Sequence, residues 1–303
     1  ALLPKIIEGA QGSLKNLGLS SSETIKVVQV VVFSMTQSLN GRSDNLPSSS
    51  ADSGATPLET AISKVAKTSI GQLDEAGLSA SDVASASSSL VGTMVGSLDD
   101  GGLKAADLSG AVEKITSGST KALGKIKMSG YDSSKLSAMV EKITSGSTAA
   151  LGDITMEGFS ADNLTSMVEK VTAGATAAMG DIQMDGFSAD NLTSMVEKVT
   201  SGATASLGKI KMDGYDSTKL TGMMEKVTAG ATASLGKIKM NGYDAGDLSG
   251  MMEKVTAGAT AALGNIEMDG FSADNISSFT DKIKSSASGA LGKIEMPGYD
   301  PNN

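Results

Sequence analysis

Apolar side chains recur along this chain at steps of three and four residues, the spacing of one face of an α-helix. In the copy from Ser188 to Gly214 they are Leu192, Met195, Val196, Val199, Ala203, Leu207 and Ile210. Ser188 or Asp190 can accept hydrogen bonds from the free N–H groups of the first helical turn. The pattern predicts an amphipathic helix, with Glu197 and Lys198 off the apolar stripe and in solvent.

The same pattern returns every 28 residues. A Glu-Lys pair followed by a β-branched residue begins at Glu113, Glu141, Glu169, Glu197, Glu225 and Glu253, and Asp281-Lys282-Ile283 marks a seventh copy. Upstream, Leu58, Val83 and Leu108 hold equivalent places at a spacing of 25 residues. Because a fixed period decides the class of fold, we interpret the chain as a tandem array.

This periodicity divides the chain into four regions. Residues 1–39 form a degenerate helical cap or docking segment, and residues 40–57, rich in Ser, Asn, Asp and Gly, form a linker. Residues 58–107 hold two degenerate 25-residue repeats, and residues 108–303 hold seven 28-residue repeats. The last helix has Thr280 and Lys284 where an interior copy has Val196 and Thr200. This change predicts a polar cap, or a face matched to a polar partner.

Two glycines in each unit can end its helix, and they predict different folds. If Gly214 follows the helix, the helix runs to about residue 212, and the short connection makes neighbours antiparallel in an all-α array or α-solenoid. If Gly208 ends the helix, residues 209–212 alternate like a strand, and each repeat holds one helix and one short parallel strand. The 25-residue copies lack this stretch, and stacked strands would place Lys209 beside Lys237. We therefore favour the all-α array.

A glycine also recurs in the middle of the predicted helices, at Gly118, Gly146, Gly174, Gly202, Gly230 and Gly258. Each costs about 1 kcal/mol relative to Ala in an isolated helix. A cost repeated in every copy needs a repeated reason. The favoured reason is close approach of neighbouring helices, and the alternative is that each helix breaks into two.

Most aromatic residues lie at the turn of a unit, where a regular array would align them along one edge. They are Tyr131, Phe159, Phe187, Tyr215, Tyr243, Phe271 and Tyr299. An aromatic edge could bind a sugar or a hydrophobic partner, whereas the ordinary interpretation is an apolar residue that covers each helix end. Leu78 and Leu103 fill the same place in the shorter copies and favour the covering role.

The composition offers little catalytic chemistry. The chain has no His and no Cys, and its acid pairs repeat in every unit, so we expect no enzymatic activity. Calcium could use recurring acids such as Asp185, Asp190, Asp216 and Asp269, but the EF-hand spacing is absent and helix capping explains several of them. We therefore expect no cofactor.

The net charge of −9 argues against a nucleic-acid partner, which prefers a basic patch. No run approaches the roughly 20 apolar residues that span a bilayer. A sequence rich in Ser, Thr, Ala and Gly, without Cys or Trp, favours an exported protein at a microbial cell surface. Ala1 at the first position fits a removed leader or a trimmed chain.

The most apolar run, residues 27–33, provides a candidate assembly segment, which we assign to Ile25, Val28, Val31, Val32 and Phe33. An extended array exposes identical surfaces at a fixed pitch. We therefore expect a non-enzymatic structural protein that self-assembles as a homo-oligomer into an extracellular filament or surface layer. The alternative is a monomeric repeat scaffold or adhesin that binds a peptide or glycan along the array.

Overall fold

The computed structural model describes residues 2–40, 56–98, 103, 105–128, 131–156, 159–182, 184, 187–211, 214–240, 242–266, 271, 273–294 and 296. These residues form eleven α-helices and no strand. The helices are α1 Leu2–Leu14, α2 Ser21–Asn40, α3 Pro57–Gly71, α4 Ala80–Gly96, α5 Ala105–Ala122, α6 Ser133–Ala150, α7 Ala161–Met179, α8 Ala189–Leu207, α9 Ser217–Leu235, α10 Asp247–Ala262 and α11 Ala273–Leu291. The prediction of an all-α repeat array is confirmed, and the described residues give no support to one strand per repeat.

Helices α8 and α9 begin at the predicted caps. Asp216 caps α9, because its Oδ1 accepts the N–H of Lys219 at 2.9 Å. At the start of α8, Asn191 Oδ1 accepts the N–H of Ser188 at 2.9 Å. These side chains satisfy donors that the first helical turn leaves free. The apolar stripe of α8 is buried from Leu192 to Leu207 as the spacing predicts, and Ile210, which follows the helix, is buried as well.

The predicted end of the helix at residue 212 is wrong. Helix α8 ends at Leu207, and Lys209 to Lys211 lie outside the helix. The helix ends early because Ile210 packs into the core beside the C-terminal end of α6. A Cβ at Gly152 would lie only 3.2 Å from the Cα atom of Ile210, so this glycine makes room for the contact, as Gly180 does for Ile238. Gly214 does adopt a left-handed φ of 76°, but in the loop before α9.

Consecutive helices run antiparallel. Tyr215 stands just before α9, and its hydroxyl donates to the carbonyl oxygen of Leu207 at the end of α8 at 2.8 Å. A 19-residue helix is about 28 Å long. Because the start of α9 is tied to the end of α8, the two helices cannot lie side by side in the same direction.

The antiparallel helices form two columns, each built by stacking every second helix. The odd column contains α1, α3, α5, α7, α9 and α11, and the even column contains α2, α4, α6, α8 and α10. Stacking within a column is much more extensive than packing between consecutive helices. The 25-residue copies α3 and α4 occupy the same columns as the later helices. Most of the predicted linker, residues 41–55, lies outside the described residues, and the division into regions stays a prediction.

Candidate interaction faces at the ends of the array

The stacking contact within a column repeats one ion pair. A lysine Nζ lies 2.8–3.1 Å from a glutamate carboxylate on the helix two units earlier in five successive contacts: Lys170–Glu113, Lys198–Glu141, Lys226–Glu169, Lys254–Glu197 and Lys282–Glu225. We call the glutamate side of a helix its forward face and the lysine side its backward face. These pairs are partly exposed, so each contributes at most about 1 kcal/mol. Because the pairs recur at equivalent positions, each of these helices stacks on the one two units earlier in the same register.

The mid-helix glycine lies on the backward face, four residues after the lysine. A Cβ at Gly202 would lie 2.7 Å from the carbonyl oxygen of Glu141, and one at Gly230 would lie 2.6 Å from that of Glu169. Helix α8 is continuous through Gly202. Close approach of neighbouring helices is therefore confirmed as the reason for these glycines, and the alternative of a broken helix is wrong.

The forward face of α11 is altered. Val196 and Thr200 are fully buried in α8, but their counterparts Thr280 and Lys284 are half-buried and exposed, respectively. No helix among the described residues stacks on this side of α11. The substitutions therefore lie on the open side of the odd column, where the sequence predicted a polar face.

The backward face of α11 differs as well. Ser286 replaces the mid-helix glycine, and its hydroxyl donates to the carbonyl oxygen of Glu225 at 2.7 Å. The hydrogen bond takes the place of the close backbone contact that Gly202 makes in α8.

The forward face of α10, by contrast, keeps the interior sequence. It carries Met252, Glu253 and Thr256, which correspond to Val196, Glu197 and Thr200 of α8. Met252 and Thr256 are half-buried, and Glu253 is exposed. The even column therefore ends, within the described part of the chain, on a face whose Val196 and Thr200 counterparts are fully buried in α8.

The first helix carries the complementary backward face. Lys5 and Ile6 precede Gly9 with the spacing of Lys114, Ile115 and Gly118. Lys5 is exposed, and a Cβ at Gly9 would meet no atom within 4 Å, since no described helix stacks behind α1. Sequence reasoning missed this site, although the Lys-Ile-x-x-Gly pattern could have revealed it.

The candidate assembly segment divides between the core and the surface. Val28 and Val32 are buried, Ile25 and Val31 are half-buried against the core, and Phe33 is exposed. Exposed large apolar residues within the described chain are confined to the first two helices and their turn: Ile6, Leu17, Leu19, Val27, Val30 and Phe33. Val30 has the highest exposure, 65%. The apolar surface lies at the N-terminal end of the array, and on α2 it consists of Phe33 from the segment together with Val27 and Val30, which the segment does not include.

The turn aromatics pack against the core. Tyr131, Phe159, Phe187, Tyr215, Tyr243 and Phe271 are all half-buried there, and Tyr299 lies outside the described residues. The Tyr131 and Tyr243 hydroxyls repeat the Tyr215 bond, each donating at 2.9 Å to the carbonyl of a leucine eight residues earlier. Burial raises the pKa of all three phenols. This arrangement supports the covering role, because one side of each ring is occupied by the protein itself.

A polar cavity of about 1010 Å³ lies among the C-terminal ends of α1, α3, α5 and α7. It is lined by lysines, including Lys15, Lys67 and Lys125, together with Asp74 and Asp181. Lys121 pairs with Asp181 at 2.8 Å, and Asp74 accepts the N–H of Lys127 at 2.7 Å. Lysines stabilise the C-terminal ends of helices through the helix dipole. The helix ends therefore account for this cluster.

No group of three or more His, Cys, Asp or Glu side chains converges among the described residues, and Asp185 and Asp269 lie outside them. The absence of a cofactor stays a prediction. No helix in the described part of the chain is long and apolar enough to cross a membrane.

No protein-family model and no curated protein sequence matches the chain. A designed self-assembling cyclic homo-oligomer aligns over 97% of this chain and 95% of its own, at 10% identity and a TM-score of 0.29. A designed armadillo repeat protein in complex with a (KR)4 peptide aligns over 84% of this chain and 99% of its own, at 14% identity and a TM-score of 0.20. These TM-scores are too low for either likeness to carry an argument about this chain.

Proposed function

We propose that this chain is a non-enzymatic structural protein that self-associates through the ends of its array and builds an extracellular filament or surface layer. The observation that carries the proposal is the apolar surface at the N-terminal end. Exposed large apolar side chains cluster there, whereas the described helices elsewhere bury theirs. Contiguous apolar patches on a protein surface mark interaction sites.

The free energy gained by covering this apolar surface is sufficient for association. Full burial of one large aliphatic or aromatic side chain contributes roughly 1.5–3 kcal/mol. The side chains at this end are between about one-third and two-thirds exposed, so covering several of them contributes several kcal/mol. Association also costs translational and rotational freedom. We expect dissociation constants between about 1 and 100 µM, which correspond to roughly −8 to −5.5 kcal/mol.

Light scattering coupled to size-exclusion chromatography tests the proposal, with negative-stain images at the same concentrations. The mass of the native chain should rise with concentration over that range. The double variant Val27→Asp/Val30→Asp should remain monomeric, because it places two negative charges in the apolar surface. Ser166→Asp, at an exposed position on α7 in the middle of the array, should assemble like the native chain.

A native chain that stays monomeric up to the highest soluble concentration would overturn the proposal. Monodisperse rods would then favour the alternative, a scaffold or adhesin that binds a peptide or glycan along the array.

A further inference from the structure

We infer that the copies join head to tail, with α1 of one copy stacked on the forward face of α10 of another. The inference rests on the proposed self-association and specifies its interface. In this joint α1 continues the even column of the neighbouring copy. The partner is therefore a second copy of this chain.

The interior of the array supplies the template for the joint. Where α10 stacks on α8, Lys254 pairs with Glu197 at 2.9 Å, and Gly258 lies against the backbone of Glu197 and the hydroxyl of Thr200. A helix that stacks on α10 in the same way must therefore present a lysine and, four residues later, a glycine. It would meet Glu253 and Thr256 on α10.

Helix α1 presents these two residues in the required spacing. Lys5 and Gly9 are separated by four residues, as are Lys254 and Gly258. Both lie on an open surface of α1. The structure shows no ion pair for Lys5 or for Glu253 among the described residues, so opposite charges are available at the two ends. Ile6, which is 45% exposed, takes the place of the fully buried Val255.

The joint also covers apolar surface on the second helix. When α1 continues the even column, α2 stacks on α11 and continues the odd column. Val30 then takes the place of the pairing lysine and meets Asp281, and Lys284 lies one helical turn further along α11. The aliphatic part of a lysine can cover an apolar neighbour while its ammonium group stays in solvent. The contact between α2 and α11 is less complementary than the Lys5–Glu253 contact. A joint of this kind is expected to be weak and to need a high protein concentration.

This geometry produces open chains of copies. The two faces differ, so a joined chain of copies keeps one free backward face at one end and one free forward face at the other. Such heterologous contacts form filaments when the rotation between copies does not close a ring. A symmetric pairing of two N-terminal ends would instead stop at a dimer and leave α10 uninvolved.

Charge reversal tests the joint. Lys5→Glu and Glu253→Lys should each lower the association constant at least about tenfold, because like charges then face each other. The double variant should recover assembly, and so should an equimolar mixture of the two single variants, which can alternate. Lys142→Glu is the matched control, since Lys142 is an exposed backward-face lysine without an ion pair among the described residues. It should assemble like the native chain.

A second variant tests the close approach without any change of charge. Gly9→Leu fills the space opposite Glu253 and should reduce assembly at least about tenfold. It should leave the monomer folded, because nothing lies near Gly9 in its own chain. Circular dichroism checks the helical content of every variant.

The outcomes separate this joint from the wider proposal. If the native chain assembles and Glu253→Lys assembles equally well, head-to-tail stacking is refuted while self-association stands. Loss of assembly with Lys5→Glu alone would indicate paired N-terminal ends and would also refute the joint. Native assembly of Gly9→Leu would refute it as well. A native chain that never assembles refutes both the joint and the proposed function.

Discussion

Replacement of Gly202 by alanine provides the sharpest test of how the columns are built. The added Cβ would lie 2.7 Å from the carbonyl oxygen of Glu141, a distance that real Cβ atoms do not adopt. The obstructing atom belongs to the backbone of α6 and cannot rotate away. Helices α6 and α8 must therefore move apart, or one of them must bend.

Two effects of opposite sign decide the magnitude. Alanine in place of glycine stabilises an exposed helix interior by about 1 kcal/mol. Overpacking of a well-packed contact typically costs about 1–3 kcal/mol. A separation of about 0.5–1 Å also forfeits a quarter to a half of the dispersion energy of each atom pair affected. Since stacking within the column is the main contact of each helix, we expect a net loss of about 1–3 kcal/mol.

Urea unfolding followed by circular dichroism measures the effect, and Gly222→Ala is the matched control. Gly222 lies within α9, and a Cβ there would meet no atom within 4 Å. The control should therefore raise the unfolding midpoint, whereas Gly202→Ala should lower it. Midpoints are compared because the unfolding of repeat arrays can depart from two-state behaviour. Equal midpoints for the two alanine variants would refute this account of the glycines.

Three further results are expected. Tyr215→Phe should lower the unfolding free energy by about 1 kcal/mol in urea melts, because the Leu207 carbonyl loses the shorter of its two hydrogen bonds and keeps only that from the Ile210 N–H. Phe187→Tyr should raise the unfolding free energy if the new hydroxyl reaches the carbonyl oxygen of Met179. Burial raises the folded-state pKa of Tyr131, Tyr215 and Tyr243. The unfolding free energy that these phenols contribute below pH 10 should therefore be lost as the pH rises further. In thermal melts, the variant with Phe at all three positions should lose less stability over the same pH range. Thr232→Val should raise the unfolding free energy by about 1 kcal/mol, because the Thr232 hydroxyl is buried and has no hydrogen-bond partner among the described residues. A gain no larger than that of Thr228→Val, which removes a 2.9 Å bond to the Met224 carbonyl, would contradict this.

The sequence was sufficient to predict where helices such as α8 and α9 begin and which face they bury. Caps such as Asp216 act within one turn, and the buried stripe follows from helical geometry alone. The end of the helix could not be predicted in the same way. It depends on Ile210 packing over Gly152, a contact between residues two repeats apart. Local sequence offered two glycines and no means of choosing between them.

The candidate assembly segment shows a similar division. Helix α2 is apolar around much of its circumference, so its composition identified an unusual element. The side that faces solvent was decided by α3 and α4, which bury Val28 and Val32 and leave Val27 and Val30 outside. Which side of α2 faces solvent depends on how the helices stack in the columns, and it cannot be predicted from composition alone.

The contrast between the last two helices links the fold to the proposed assembly. A face left in solvent is expected to be polar, and α11 follows this rule, with Thr280 and Lys284 at positions that are apolar or buried in α8. Helix α10 does not follow it, since Met252 and Thr256 keep the interior character. Its forward face therefore carries side chains suited to a stacked helix, and α1 has the lysine and the glycine that such a helix requires. One column is closed by polar substitution, while the other keeps the surface on which a second copy can stack.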